Sequence, residues 1–299
     1  MDTLIDLYKQ RLDLNGATFF RIAHDDATVA IVYKVTLPIG TSLILKICTR
    51  VKDYLNELYF LKYFSGILPV PRVIQVVQPE DGINGAILME CLPGTLPKAA
   101  DFTDALAYEI GSVLARIHLN RTRGHGELTQ SHDLSSDPRV SFTTKFEEGL
   151  AECSNHLPKE LIEQCRLYFY THINLLDWAD GPCITHRDFR AGNVIVCDGK
   201  LQGIIDWSAA RVGFAQEDFC FLEHGGWPIN SSNKKSFLAG YATVRPVPDY
   251  SVMMPLLRLS RAIAIIGFTV KRGTWKSSDA CIYQFNRHFL KTFFKNPEF

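Results

Sequence analysis

The segment Thr185-His-Arg-Asp-Phe-Arg-Ala-Gly-Asn-Val-Ile-Val196, followed by Gly203-Ile-Ile-Asp-Trp-Ser208, concentrates residues able to do chemistry. It holds a His-Arg-Asp triplet, an asparagine five residues beyond the aspartate, a hairpin signal, and Asp206 thirteen residues beyond that asparagine. Phosphoryl transfer has a use for this set. Asp188 can accept the proton of a substrate hydroxyl, while Asn193 offers a neutral oxygen and Asp206 a charged one, both suited to Mg²⁺. The Asp198-Gly199 turn predicts a tight hairpin between strands at 194–197 and 201–205, which brings the two oxygen donors together. The metal would then neutralise charge on the transferred group.

The rest of the chain must position these groups. The run Val29 to Leu37 is rich in β-branched residues, Pro38 to Ser42 reads as a turn, and Leu43 to Cys48 as a second strand. Apolar residues at 51, 54, 55, 58, 61 and 64 follow a helical period and predict a helix over 51–64. A strand pair is expected at 72–78 and 85–91, around the turn signals Asp81-Gly82 and Asn84-Gly85. Leu92-Pro-Gly-Thr-Leu-Pro97 breaks the pattern, and beyond 101 the chain reads as helical, interrupted once by the two strands near 195 and 203. The expected organisation is α+β: a small β-rich N-lobe with one long helix, residues 1–91, and a larger, mainly helical C-lobe, residues 92–299.

Composition excludes several classes. With 46 % hydrophobic and 21 % charged residues the chain is built to fold, and 32 Lys+Arg against 32 Asp+Glu leave no cationic footprint for nucleic acid. The start, MDTLIDLYKQRLDL, reads as a helix rather than a signal peptide. The apolar stretch Ala262 to Val270 is nine residues, against the ~20 a bilayer span requires, so a buried helix is expected. Eight cysteines stand without a CxxC pair, which favours buried free thiols in a reducing cytoplasm over disulfides or zinc. No nucleic-acid or membrane partner is indicated, and oligomeric state is not readable.

The catalytic-loop pattern resembles that of protein kinases, but Asp206-Trp-Ser stands where they carry Asp-Phe-Gly, and no Ala-Pro-Glu follows. HxDxxxxN, a hairpin and then Ile-Asp-Trp is the pattern of the aminoglycoside phosphotransferases and related small-molecule kinases, and the chain resembles that family from about residue 17 to beyond 225. Gly111-Ser-Val-Leu-Ala-Arg-Ile-His118 is similar to the family's GxxLAxLH helix. Gly213-Phe-Ala-Gln-Glu-Asp218 is similar to its GDPxxD stretch, with Phe214-Ala215 in place of Asp-Pro.

The resemblance implies a bilobal, protein-kinase-like fold and an ATP- and Mg²⁺-dependent transfer to a hydroxyl of a small molecule. It implies that Lys46 holds the α/β-phosphates with Glu57 as its ion-pair partner. It further implies that backbone groups of Glu90 and Leu92 grip adenine, that His186 orients the catalytic loop, and that Asp218 holds that loop from the helical side. Two departures stand out. The phosphate-covering loop, residues 24–29, lacks glycine. Arg187 and Arg190 replace Gly and His, with Arg190 able to reach phosphate or substrate or to pair with a local acid.

An aminoglycoside-type antibiotic is the first substrate expected, since such polycations need carboxylates. The 141–180 stretch, with seven acids against three bases, and Glu217, Asp218 and Glu223 are the candidates. Gly126 to Thr129 and the segment 130–145 would shape selectivity. His118 reads as a helix-core residue. A metabolite kinase acting on a sugar, an amino alcohol or homoserine is the alternative; a protein kinase or a non-catalytic nucleotide-binding scaffold ranks lower.

Overall fold

Alternation along three adjacent β-rich segments sets the first layer of the molecule, a computed structural model that describes residues 3–22, 30–129 and 134–295. Strands β1 (Thr18–Arg21), β2 (Ala30–Thr36), β3 (Ser42–Cys48), β4 (Val73–Val77) and β5 (Gly85–Glu90) form an antiparallel sheet in the order β1-β2-β3-β5-β4. Because successive side chains alternate between faces, Leu45 and Ile47 of β3 join Tyr33 and Val35 of β2 and Leu88 of β5 in one buried cluster. Helix α1 (Thr3–Arg11) closes that face with Tyr8. The residue between Leu45 and Ile47 is Lys46, which therefore points to the opposite face. There helix α2 (Val51–Phe64) buries Tyr54, Glu57, Phe60, Leu61 and Phe64. The glycine-free loop expected at 24–29 lies outside the described residues.

Helix α3 (Asp104–His118) follows, then α4 (Pro138–Glu152), whose Asp137 cap accepts from the Arg139 N–H, and α5 (Lys159–His172). Strand β6 (Cys183–Thr185) leads into the catalytic-loop sequence. Hairpin β7 (Val194–Cys197) and β8 (Lys200–Ile204) turns at Asp198 and Gly199, with φ of 51° and 71°, both left-handed as a two-residue hairpin turn requires. Strand β9 (Arg211–Gly213) pairs with β6. These two three-residue strands were not foreseen. They are buried on both faces and too short to display an alternation. Helices α6 (Gln216–Glu223), α7 (Ser231–Ala242), α8 (Met254–Lys271) and α9 (Ala280–Phe293) complete the chain.

Residues 262–270 lie inside α8, a buried helix as expected, and among the described residues no helix is long and apolar enough to cross a membrane. The cysteines are free thiols; Cys48, Cys153, Cys165, Cys183 and Cys220 are buried.

By packing, the chain divides into two units. Unit 1 comprises Met1–Ile117, His186–Arg211 and Trp227–Pro246; unit 2 comprises His118–Thr185, Val212–Gly226 and Val247–Phe299. The sequence division at 91/92 differs from this one: packing groups residues 186–211, which include the hairpin, and 227–246 with residues 1–117.

Candidate functional site

Lys46 Nζ lies 2.8 Å from Glu57 Oε2 and 2.9 Å from Asp206 Oδ1. The Glu57 side chain is 2 % exposed and that of Lys46 11 %. Burial works against the charge on Lys46, but Asp206 and Glu57 more than offset it and hold the ammonium above the ordinary lysine value. Burial likewise opposes the Asp206 charge, yet Lys46 and the Ser208 hydroxyl hold that carboxyl well below the usual range. The three charges sum to −1, a deficit suited to a divalent cation.

Trp207, the neighbour of Asp206, explains how the hairpin meets α2. Its indole is fully buried, stacked on Phe60 at 6.1 Å and tilted on Phe64 at 4.8 Å. Its indole N–H donates to the Ile204 carbonyl at 3.2 Å, and its backbone N–H donates to the Glu57 carboxylate. Asn56 adds a bond from Nδ2 to the Ser208 carbonyl at 3.1 Å. Asp206 itself has φ +61°, a conformation that non-glycine residues adopt rarely and that is met at functional sites.

Asn193 ends a single 3₁₀ turn, Ala191–Asn193, and is held opposite the hairpin exit by the Ile205 N–H donating to its carbonyl at 3.0 Å. Its Nδ2 donates to the Asp188 carbonyl at 2.8 Å and to Asp188 Oδ2 at 2.6 Å. That turns the amide oxygen away from Asp188. On Asp206, Lys46 and Ser208 both donate to Oδ1, which leaves Oδ2 open among the described residues. One amide oxygen and one carboxylate oxygen are hard donors that suit Mg²⁺, an ion that keeps several waters and otherwise takes phosphate oxygens. Among the described residues no group of three or more His, Cys, Asp or Glu is placed to hold a metal alone. The donor set therefore fits magnesium brought with a polyphosphate.

His186 is buried and bridges the loop to the hairpin: its Nε2 lies 3.2 Å from the Ile205 carbonyl, and the Asp188 N–H donates to its Nδ1 at 3.3 Å. Arg187 has φ +63°, which sets the turn into Asp188. Arg190 Nε reaches Asp188 Oδ1 and Oδ2 at 3.2 and 3.1 Å, the local-acid pairing rather than a free cation. Trp227 was not anticipated as part of this loop's framework; its indole N–H donates to the Phe189 carbonyl at 2.8 Å.

Glu90 ends β5, and its N–H donates to the Arg72 carbonyl at 2.9 Å. Leu92 follows two residues on, with its side chain against Gly203 of β8. Thr95 and Val196 exchange backbone bonds of 3.0 and 2.9 Å, which ties this connector to the β7–β8 hairpin. Gly94 makes the approach possible: at φ +105°, a Cβ there would stand 2.1 Å from the Val196 carbonyl oxygen.

The expected substrate carboxylates fare differently. Asp218 is fully buried, with Oδ2 3.0 Å from His118 Nε2, so two sequence motifs meet inside unit 2 and His118 is the core residue expected. Glu217 is 7 % exposed, with Oε2 accepting from the Phe214 N–H at 3.4 Å. Both are framework groups, a correction to their reading as ligand carboxylates: a buried, partnered carboxylate has no face for a solvated ligand. Glu223 is partly buried and hydrogen-bonded to Tyr250.

Six of the seven acids of 141–180 have partners within the protein. Glu147 pairs with Arg166, Glu148 with Lys145, Glu152 with Lys271, Glu163 with Lys159, Asp177 with Arg139 and Asp180 with Arg121. Three of the bases, Arg121, Arg139 and Lys271, lie outside the stretch, which is why a local charge count missed them.

Residues 21–256 match the model of the phosphotransferase enzyme family, and the chain belongs to that family. Among curated proteins it is 23 % identical over 198 residues to the hygromycin-B 4-O-kinase of Escherichia coli, a match covering 59 % of this chain and 54 % of that protein. The chain thus spans about half the length of the curated relative it matches. Among solved structures, aminoglycoside phosphotransferase APH(4)-Ia superposes with a TM-score of 0.70 at 13 % identity, covering 97 % of this chain and 99 % of that one. A thermostable mutant of APH(4)-Ia in ternary complex with AMP-PNP and hygromycin B gives 0.72 at 12 % identity, covering 96 % and 97 %. The gentamicin complex of APH(2")-IIa gives 0.69 at 18 % identity, covering 97 % and 96 %. The fold is the protein-kinase-like fold of the aminoglycoside phosphotransferases, an N-terminal antiparallel sheet followed by a mostly helical part.

Proposed function

We propose that this chain is a kinase of a small molecule, moving the γ-phosphate of ATP to a substrate hydroxyl with Mg²⁺. One observation carries the proposal: Lys46, Glu57 and Asp206 form one ion-paired cluster, and Asn193 joins Asp188 to the same hairpin within a single packing unit. Lys46, kept charged by Glu57, orients the α/β-phosphates. Glu90 and Leu92 supply backbone groups for the adenine. Asn193 Oδ1 and Asp206 Oδ2 would hold magnesium, which supplies charge neutralisation at the transferred phosphoryl group. Asp188 accepts the hydrogen bond of the attacking hydroxyl and takes its proton as transfer proceeds. Most of the acceleration then comes from positioning and charge stabilisation.

An aminoglycoside-type antibiotic is the first acceptor to test. The similarity to a hygromycin-B kinase, the hygromycin B in a structural neighbour and the gentamicin in another support that choice. A second reading, a kinase of a less cationic metabolite, is favoured by the pairing of six of the seven acids of 141–180 and by the burial of Glu217 and Asp218.

A coupled ADP-release assay with MgATP decides between them. The panel comprises several aminoglycosides, hygromycin B, choline, homoserine and simple sugars, with Asp188→Asn as control. Release stimulated by an aminoglycoside or hygromycin B supports the antibiotic reading. Stimulation by a metabolite alone supports the second. ATP binding without release by any acceptor would overturn both in favour of a scaffold, and labelling of generic proteins without a small-molecule product would point to a protein kinase.

A further inference from the structure

We propose that Arg190 is a positioning residue of the transfer step, bridging both carboxylate oxygens of Asp188 through Nε so that Oδ1 alone is left to receive the substrate hydroxyl. The inference rests on the phosphotransferase reading above and assigns a direction to its proton acceptor.

The hydrogen bonds around Asp188 are unequal. Oδ2 accepts from Asn193 Nδ2 at 2.6 Å and from Arg190 Nε at 3.1 Å; Oδ1 accepts from Arg190 Nε at 3.2 Å. A carboxylate oxygen offers two lone-pair sites. Oδ2 has both engaged, and Oδ1 keeps one among the described residues. The Asp188 and Arg190 side chains are 30 % and 24 % exposed, so the pair is reached by solvent.

The backbone on both sides is pinned, which is what lets a long arginine hold a fixed place. Phe189, between the two, is buried, with its ring 5.4 Å from Trp227 and 5.9 Å from His186. The Trp227 indole holds the Phe189 carbonyl, and the Asp188 N–H is held by His186. Arg190 itself is extended, with φ −142° and ψ 167°, and its Nε reaches the carboxylate two residues back.

The test compares wild type, Arg190→Ala and Arg190→Lys in two assays: hygromycin B with MgATP, and MgATP hydrolysis without acceptor, where water stands in for the hydroxyl. Misplacing a reacting group by about 1 Å costs on the order of 10²-fold. Arg190→Ala is therefore expected to lower kcat by ~10- to 100-fold, with the KM for MgATP within about twofold of wild type and an unchanged melting temperature. Arg190→Lys should recover part of kcat by restoring the cation but not the bridge.

Unchanged kcat in Arg190→Ala would overturn the proposal. So would a rise in the MgATP KM larger than the fall in kcat, which would place Arg190 on the nucleotide phosphates. A lowered melting temperature with kcat intact below it would make Arg190 structural and overturn the proposal equally. If hygromycin B is not an acceptor, the hydrolysis assay still reads kcat. A wild-type chain that neither binds nor turns over MgATP would overturn the phosphotransferase reading and this inference with it.

Discussion

Lys46 and Asp206 stand 160 residues apart in the chain and are joined by an ion pair of 2.9 Å, with Glu57 closing the cluster at 2.8 Å from the same ammonium. Two carboxylates thus share one cation. Removing that cation leaves them facing each other without compensation, one of them almost fully buried.

Lys46→Met is accordingly expected to destabilise the protein by about 3 kcal/mol, the scale of breaking a buried pair from one side. The double variant Lys46→Met, Glu57→Gln should recover part of that loss. Urea denaturation of both, alongside wild type, measures it. Equal midpoints for the single variant and wild type would mean that the cluster carries no stability. In the same single variant the KM for MgATP should rise by at least ~10-fold, because the phosphates lose their cation.

Asp206→Asn keeps the shape of the site but removes its charged oxygen. The expected outcome is a kcat lower by ~10²- to 10³-fold and a higher Mg²⁺ concentration at half-maximal rate, read by titrating the metal at fixed ATP. Asp188→Asn should differ in kind: nucleotide affinity by thermal shift stays near wild type while turnover falls. Parallel behaviour of the two variants would show that the roles assigned to them are not separate.

Trp207 is the wedge between the hairpin and α2. Trp207→Ala empties a fully buried site against Phe60 and Phe64 and should cost about 3–5 kcal/mol. Trp207→Phe should lose less stability while displacing Asp206, since the indole N–H bond to Ile204 disappears. Its expected signature is a larger fall in kcat than in melting temperature.

His224 provides a pH test. Burial pushes its imidazole down to about 4; a hydrogen bond with Asn286 works against this, and Arg261 and Arg258 add to it. Arg258 Nε donates to Nδ1 at 3.2 Å and Nε2 lies 3.0 Å from Asn286 Oδ1, so the folded protein holds the neutral ring. The unfolded chain takes up the proton near 6.5, the folded one only near 4. Between these values the unfolded state binds more protons, so stability present above pH 6.5 is lost as pH falls toward 4. The loss is roughly 3 kcal/mol at the lower end. Urea midpoints across this window should slope accordingly, and His224→Gln should flatten the slope.

Much of the architecture was legible because it is local. The 3.6-residue period of 51–64 is α2, the Asp198-Gly199 turn is the hairpin, and the β-branched runs are β2 and β3. Strands β6 and β9 escaped notice because three fully buried residues carry no period. The acidic stretch misled for a related reason: charge is summed along the chain, whereas Lys271, Arg139 and Arg121 neutralise it across space.

The site divides along the same line. The residue types and spacing of Asp188, Asn193 and Asp206, with Lys46 and Glu57 on a consecutive strand and helix, were determined by the sequence alone, because a short loop, a hairpin and a strand–helix step each fix geometry over a few residues. Only the tertiary structure decided that Asp206 reaches Lys46, that Asp218 is buried against His118 rather than offered to a ligand, and that Arg190 folds back on Asp188 beneath the clamp of Trp227. Those contacts depend on packing between segments up to 160 residues apart, and the energy that selects them is the burial of Trp207, Phe189 and their aromatic neighbours, which no local window of sequence contains.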